Sequence, residues 1–310
     1  MDPDTEPTEK KKKPVGRPRK KVVVLDDPKG IVVSPTNKDS FMELSFIQIN
    51  LLKTLFTMFN SMVIKGMIFS FDEENISIFV NDEHDNMNMV VKINGSKVFS
   101  YYCKEAFDVP VYYNELNQLL KNLEKNYWSK IMFRSVEATR DSTIQLMFER
   151  SELTMFDIHP IKISKDVSSS NELKPEGKKK LQFTLPAEDF KLMIAKVKRV
   201  GDDRLSIQRF GKKPLNLIFS KKTGAQDNVR ILRNDEKIKL ESDLDDGELF
   251  TATIKVDTIQ PFSASQLCKE VVWTFYENKV FTLIGKIKPD TKNSTVPDLM
   301  DIKFTLKCIS

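Results

Sequence analysis

The chain has 310 residues, of which 40% are hydrophobic, with 49 lysines and arginines against 44 aspartates and glutamates. This apolar content suffices for two packed domains, and no apolar run approaches the roughly 20 residues of a membrane-spanning helix, so we expect a soluble protein without a secretory signal. The cysteines, Cys103, Cys268 and Cys308, are odd in number and far apart, which predicts free thiols in a reducing compartment.

Basic charge is concentrated at the N-terminus. Residues 1–21 hold eight basic and four acidic residues, whereas the rest of the chain is nearly neutral. The core GRPR, beginning at Gly16, resembles an AT-hook, because Pro18 favours an extended backbone whose arginines can enter the narrow minor groove of A·T-rich DNA. A nuclear-import signal or a solubilising tail would have a similar composition. We expect residues 1–38 to be a disordered basic tail. Its candidate DNA-binding residues are Arg17, Arg19 and Lys20.

The first half of the body alternates helical and strand-like patterns. Apolar residues at helical spacing predict one helix over Phe46–Met62 and a second over Asn114–Tyr127. Alternating apolar residues predict strands at Phe41–Leu44, Val63–Phe71, Ile76–Asn81, Met87–Ile93, Val98–Cys103, Ile131–Glu137, Thr143–Glu149 and Leu153–Ile158. His84 lies in an acidic turn, which we interpret as solvated, since adjacent acids on one turn rarely converge on an ion.

A polar connector, residues 164–180, separates the two halves of the chain. Its sequence, SKDVSSSNELKPEGKKK, is rich in serine and lysine and contains Pro175 and Gly177. Such a segment cannot bury enough apolar surface to offset the entropy lost on ordering it, so we expect it on the surface.

The second half repeats the order of elements of the first. Helices are predicted over Pro186–Val200 and, weakened by Pro261, over Thr258–Glu270. Predicted strands are Arg204–Gln208, Leu215–Ser220, Asn228–Leu232, Lys237–Glu241, Leu249–Val256, Val271–Tyr276, Lys279–Lys286 and Asp301–Ile309. The repeated order predicts an α+β protein with two tandem domains, residues 39–163 and 181–310, each an antiparallel sheet with two helices on one face.

The predicted helices share a basic outer side. The cations on these outer sides are Lys53, Lys121, Lys125, Lys191, Lys198, Arg199 and Lys269. A single lysine on the wet side of an amphipathic helix is ordinary. Recurrence across four helices favours a surface that binds phosphates without reading bases.

The order of elements from Phe41 to Ser310 resembles the proliferating cell nuclear antigen type of DNA sliding clamp. The stretch PAEDFKLMIAKVKRVG at Pro186–Gly201 is similar to the first helix of that family's second domain, and DIKFTLKCIS at Asp301–Ser310 resembles its terminal strand. The basic tail and the pair Tyr101-Tyr102 resemble the clamp-like proteins of African swine fever virus and related large DNA viruses.

This resemblance implies a ring, commonly of three subunits, that encircles double-stranded DNA. The subunit edges would be Leu153–Ile158 and Asn228–Glu241. It also implies a groove beside the connector and the C-terminus for a short hydrophobic peptide of a DNA polymerase, ligase or nuclease. The residues implied for that groove are Ile161, Ile163, Val167, Leu173, Pro289 and Ile309. The expected location is a viral replication site in the host cytoplasm, or the nucleus.

Two functions of different kinds are consistent with the sequence. The first is a processivity clamp, and the alternative is a non-encircling DNA-binding or transcription-associated factor that acts through its AT-hook-like tail. An enzyme is not expected, because the sequence has no phosphate loop, no paired-histidine zinc motif and no glycine-rich dinucleotide turn. No cofactor and no metal are predicted.

Overall fold

In the computed structural model, the described residues are 40–47, 49–60, 62, 64–82, 87–120, 130–135, 144–150, 153–161, 173–201, 203–220, 226–232, 238–264, 268–287 and 299–309. The predicted tail, residues 1–38, lies outside them, as does most of the predicted connector. The predicted domain boundaries therefore stay a prediction.

The first half contains two helices, α1 over Ile49–Asn60 and α2 over Tyr113–Leu120. Its strands are β1 Met42–Phe46, β2 Ile64–Phe71, β3 Asn75–Asp82, β4 Met87–Asn94, β5 Ser100–Cys103, β6 Phe107–Val111, β7 Lys130–Ser135, β8 Ile144–Arg150 and β9 Leu153–Ile161. The strand β6 was not predicted from the sequence, because Pro110 interrupts its pattern and proline is confined to edge strands.

The second half contains helices α3, over Ala187–Val200, and α4, over Val256–Ala264. Its strands are β10 Lys179–Pro186, β11 Arg204–Phe210, β12 Leu215–Ser220, β13 Gln226–Leu232, β14 Leu240–Ser242, β15 Leu249–Lys255, β16 Glu270–Tyr276, β17 Val280–Ile287 and β18 Met300–Lys307. The connector was predicted to continue to residue 180, but Lys179 and Lys180 already belong to β10.

The predicted helix Thr258–Glu270 is wrong at its C-terminal end. Glu270 begins β16, and Lys269 lies in a bend just before it. The Lys269 carbonyl accepts a hydrogen bond from the N–H of Ala187, at 2.8 Å. Lys269 is exposed but is not part of a helix face. The alternating sequence of β16 stabilises a strand here, since Val271, Trp273 and Phe275 are all buried on one side of it.

The strands form three antiparallel sheets. One sheet has the order β5-β1-β7-β8-β9, a second the order β13-β12-β11-β15, and the third the order β14-β10-β16-β17-β18-β4-β3-β2-β6. The third sheet takes strands from both halves. The halves meet where β4 pairs with β18, with Ile93 opposite Met300 at one end of the pair and Met87 opposite Leu306 at the other. The α+β class with antiparallel sheets is therefore confirmed, and the two halves share one continuous sheet.

The core lies between the nine-stranded sheet and the helices. In β18, Met300, Ile302, Phe304 and Leu306 are buried on one face, whereas Lys303 on the opposite face is partly exposed. The Phe304 ring meets Phe262 of α4 edge to face, with centroids 5.1 Å apart. Helix packing follows the order α2, α1, α4, α3, so the four helices form one layer that crosses both halves.

We predict that Phe304→Ala lowers the free energy of unfolding by about 3–5 kcal/mol, because it leaves a cavity between α4 and the shared sheet. Urea denaturation followed by circular dichroism measures this loss. The matched control is Lys303→Ala on the same strand, for which we expect about 0.5 kcal/mol or less. Equal losses in the two variants would contradict the placement of this core face.

Candidate nucleic-acid interface

Helix α3 has one buried side and one exposed side. Phe190, Met193, Ile194 and Val197 are buried, as the helical spacing predicted. The helix ends at Gly201, whose φ of 83° is left-handed and whose N–H donates to the carbonyls of Val197 and Lys198. Leu192 on the opposite side is 68% exposed.

The ends of α3 carry charges that complement its dipole. Glu188 and Asp189 lie in the first turn, and Lys198 and Arg199 lie in the last turn. Anions near the N-terminus and cations near the C-terminus stabilise a helix by about 0.3–1 kcal/mol each. The basic end of α3 therefore stabilises the helix as well as offering cations to a ligand.

The predicted DNA-binding cations divide into three groups in the structure. Lys191 and Arg199 are exposed on α3, and Lys53 lies on α1 on the same side as the exposed residues Thr57 and Asn60. Lys198 contacts α4, whereas Lys269 is exposed in the bend before β16, next to the start of α3. The remaining predicted residues, Arg17, Arg19, Lys20, Lys121 and Lys125, lie outside the described residues.

Polar contacts join neighbouring helices within the layer. Lys198 Nζ lies 3.0 Å from Asp257 Oδ1 of α4 and also donates to Gln260 Oε1. At the other end, the hydroxyl of Tyr113 in α2 donates to Asn60 Oδ1 of α1, at 2.6 Å. Burial raises the pKa of Tyr113, so its phenol stays protonated and remains a donor. These contacts tie α3 to α4 and α2 to α1 within the layer.

Among the described strands, two long ones lie at the ends of their sheets and pair with a neighbour on one side only. These are β9 in the five-stranded sheet and β13 in the four-stranded sheet, with nine and seven residues. The other sheet ends are shorter or blocked. β5 and β14 are short, with four and three residues, and β6 contains Pro110. At the edge of β15, the Thr253 carbonyl accepts a hydrogen bond from the N–H of Ile309, at 2.7 Å.

The predicted subunit edges fall on these strands with one correction. Leu153–Ile158 lies within β9. The range Asn228–Glu241, however, begins in β13 and ends in β14, and these two strands belong to different sheets. The range was an implication of the family resemblance, and sequence alone does not show which sheet each of its two predicted strands joins.

The connector and the C-terminus meet at the turn between β16 and β17. Asn278 Nδ2 donates to the Lys174 carbonyl at 3.0 Å, and the Lys178 N–H donates to Glu277 Oε2 at 3.1 Å. In the same turn the Lys279 carbonyl accepts the N–H of Cys308, at 2.9 Å. The structure thus brings Lys174 and Cys308, which neighbour the predicted groove residues Leu173 and Ile309 in the sequence, to the same turn.

The other predicted groove residues are not shown to lie near this turn. Ile161 ends β9 opposite Ile144, within the five-stranded sheet. Ile163, Val167 and Pro289 lie outside the described residues.

A row of polar side chains crosses the sheet beside Leu173, and sequence reasoning missed it. Asn88 Oδ1 accepts the Leu173 N–H at 2.7 Å, and Asn88 Nδ2 donates to Asn81 Oδ1 at 2.7 Å. The cross-strand row consists of Asn81, Asn88, Thr305, Thr282, Thr274 and Gln182. Several are buried, and the buried Thr282 hydroxyl has no hydrogen-bond partner among the described residues. The sheet surface next to Leu173 is therefore polar.

Ion pairs hold the C-terminal end of the connector. Lys179 Nζ lies 3.7 Å from Glu241 Oε2, and Lys180 Nζ lies 3.5 Å from Glu248 Oε1 and 3.9 Å from Glu277 Oε1. Gly177 precedes them with a φ of 77°, and a Cβ there would lie 2.5 Å from Glu277 Oε2. Glycine at this position lets the backbone approach the Glu277 carboxylate closely.

Among the described residues, no three histidine, cysteine or acidic side chains cluster as a metal site would require. Likewise, none of the described helices has the length and apolar character needed to cross a membrane. The free thiols of Cys268 and Cys308 are half-buried, and burial raises the pKa of each to about 11. At neutral pH these thiols are therefore protonated and poor nucleophiles.

Comparisons with known proteins agree with this arrangement. A crystal structure of the proliferating cellular nuclear antigen of Entamoeba histolytica superposes with a TM-score of 0.67 at 15% sequence identity, covering 87% of this chain and 100% of that chain. An uncharacterized protein of African swine fever virus, in isolates from a Kenyan pig and a Namibian warthog, is 21% identical over 272 residues, covering 83% of this chain and 87% of the relative. No protein-family model matches the chain.

The fold is that of a proliferating cell nuclear antigen-type clamp, with tandem halves built from antiparallel sheets and a shared helix layer. The predicted resemblance to these clamps and to the African swine fever virus protein is confirmed.

We predict that Gly177→Ala loosens the connector, because the methyl group displaces the Glu277 carboxylate and the backbone is strained at positive φ. Limited trypsin digestion followed by mass spectrometry should show faster cleavage at Lys178–Lys180 than in the wild-type protein.

The matched control for this change is Gly247→Ala. Gly247 has a φ of 100°, but a Cβ there would meet nothing within 4 Å. It therefore introduces the backbone strain without the displacement of Glu277. Equal cleavage of the connector in both variants would contradict the role of the Gly177–Glu277 contact.

Proposed function

We propose that this protein is a DNA sliding clamp, a homotrimeric ring that encircles duplex DNA and tethers replication or repair enzymes. The proposal rests on two long strands, β9 and β13, which lie at the ends of two different sheets and, among the described strands, pair on one side only. Pairing β9 of one copy with β13 of the next is a head-to-tail contact, and such contacts generate rings when the rotation closes. Pairing also removes two edges that would otherwise favour aggregation.

The helix layer is the proposed inner surface of the ring. Lys53, Lys191 and Arg199 would approach phosphates from α1 and α3, and phosphate contacts carry no base information. A surface of this kind holds DNA electrostatically and permits sliding along it. The tail residues Arg17, Arg19 and Lys20 would add a second contact with DNA.

The turn between β16 and β17 is the proposed docking place for partner enzymes. Lys174 of the connector and Cys308 of the C-terminus contact this turn, and the candidate groove residues Leu173 and Ile309 lie next to them in the sequence. The sheet surface beside Leu173 is polar, so we propose that the partner peptide combines an apolar anchor with polar side chains. Polymerases, ligases and nucleases are the proposed owners of such peptides.

We propose no catalytic role for the protein, which would act as a scaffold. Its proposed location is a viral replication site in the host cytoplasm, or the nucleus, on the basis of its similarity to a viral protein.

Encirclement is tested by retention on DNA whose ends are blocked. The protein is incubated with linear biotinylated duplex, the ends are closed with streptavidin, and the complex is washed at high salt. We expect retention that is lost when a restriction enzyme cuts the duplex, because a ring slides off a free end. Release by salt alone would contradict encirclement and support the tail-dependent alternative.

Two variants separate the tail from the helix layer in this assay. Deletion of residues 1–21 should leave most of the salt-resistant fraction. The double variant Lys191→Glu/Arg199→Glu should lower it several-fold, because like charges would then face the phosphates. The matched control is Lys104→Glu/Lys213→Glu, which reverses two exposed lysines in loops outside the helix layer.

A further inference from the structure

One of the basic residues of α3 already has an acidic partner. Lys198 Nζ lies 3.0 Å from Asp257 Oδ1 and donates to Gln260 Oε1, both on α4. Lys198 lies in the last turn of α3 and Asp257 in the first turn of α4, so each charge sits at the helix end that favours it. Sequence analysis did not single out Asp257, because it lies one residue before the predicted helix Thr258–Glu270, whereas in the structure α4 already begins at Val256.

The neighbouring cations of α3 differ in this respect. Lys191 lies seven residues before Lys198, two helical turns away on the same side, and Arg199 follows Lys198 directly. Within the described residues, neither Lys191 nor Arg199 forms an ion pair. A phosphate would therefore meet available cations at Lys191 and Arg199, but would have to displace Asp257 to bind Lys198.

Asp257 is also positioned to act on an approaching polyanion. Its side chain is 78% exposed, while that of Lys198 is 36% exposed. An exposed ion pair of this kind is weak and easily exchanged. The carboxylate repels a phosphate and at the same time occupies the ammonium group that the phosphate would bind.

We infer that Asp257 restrains DNA binding by competing with phosphates for Lys198. The inference rests on the proposed function and names a residue that sets how tightly the helix layer holds duplex. Lys198 can pass between a phosphate and Asp257 without being left unpaired, so each step along the DNA breaks one ion pair while forming another. Lys198 thereby makes a brief, exchangeable contact with the backbone.

The test is Asp257→Asn in the full chain, which removes the charge and nearly preserves the shape. Affinity for a duplex of about 30 base pairs is measured by fluorescence anisotropy across a salt series. We expect several-fold tighter binding near 0.1 M salt. The plot of log affinity against log salt should steepen by up to about 0.9, the value for one additional phosphate contact.

The matched control is Asp246→Asn. Asp246 lies in the turn before β15, outside the helix layer, and its side chain is 81% exposed. Its Oδ1 atom is 3.7 Å from Lys212 Nζ. The control removes the same charge from a similar ion pair, so it measures the effect of net charge alone. Every variant keeps the basic tail, whose contribution is common to all. Unfolding curves verify the fold, and Asp257→Ser provides an independent second variant.

A double-mutant cycle decides whether Asp257 acts through Lys198. Lys198→Gln should weaken binding more in the Asp257→Asn background than in the wild-type background, because only there is the ammonium group fully available. The inference is overturned if Asp257→Asn matches the Asp246→Asn control, or if its effect is unchanged by Lys198→Gln. Absence of duplex binding by the wild-type protein would instead overturn the proposed function.

Discussion

The pairing of β4 with β18 joins the two halves of the chain, and the arrangement of the helices depends on it. Met89 and Val91 face Phe304 and Ile302 across this pair, and all four side chains are buried. Because one sheet runs through both halves, the helices above it cannot form two separate patches. They pack as one layer, in which α1 of the first half contacts α4 of the second.

That layer explains how a nearly neutral body can present a basic surface. The acidic residues of α3 lie in its first turn, and Lys198 and Arg199 lie in its last turn, which is the arrangement that the helix dipole favours. The ion pair between Lys198 and Asp257 then joins this basic end to α4. The charge pattern thus stabilises the layer, and the proposed contact with phosphates would use the same cations.

The sequence predicted the elements well and their assembly only in part. Helix α3 followed from the helical spacing of Phe190, Ile194 and Val197, all of which are buried. Strand β10 was not predicted, although Leu181, Phe183 and Leu185 alternate with more polar residues. The lysines at its start were assigned to the connector, and a predicted helix began directly after it. The β4–β18 pairing could not be predicted, since local patterns do not specify which distant strands pair. The Lys198–Asp257 contact depends on how α3 and α4 pack, so it could not be predicted from the sequence either.

The most direct test of the account is the molar mass of the full chain in solution, measured by multi-angle light scattering over a wide range of concentrations at moderate salt. Open edges at β9 and β13 predict a stable species of three times the 35.8 kDa of one chain. A monomer at every concentration would contradict the account, because the edges would then not pair unaided and no ring would exist to enclose DNA.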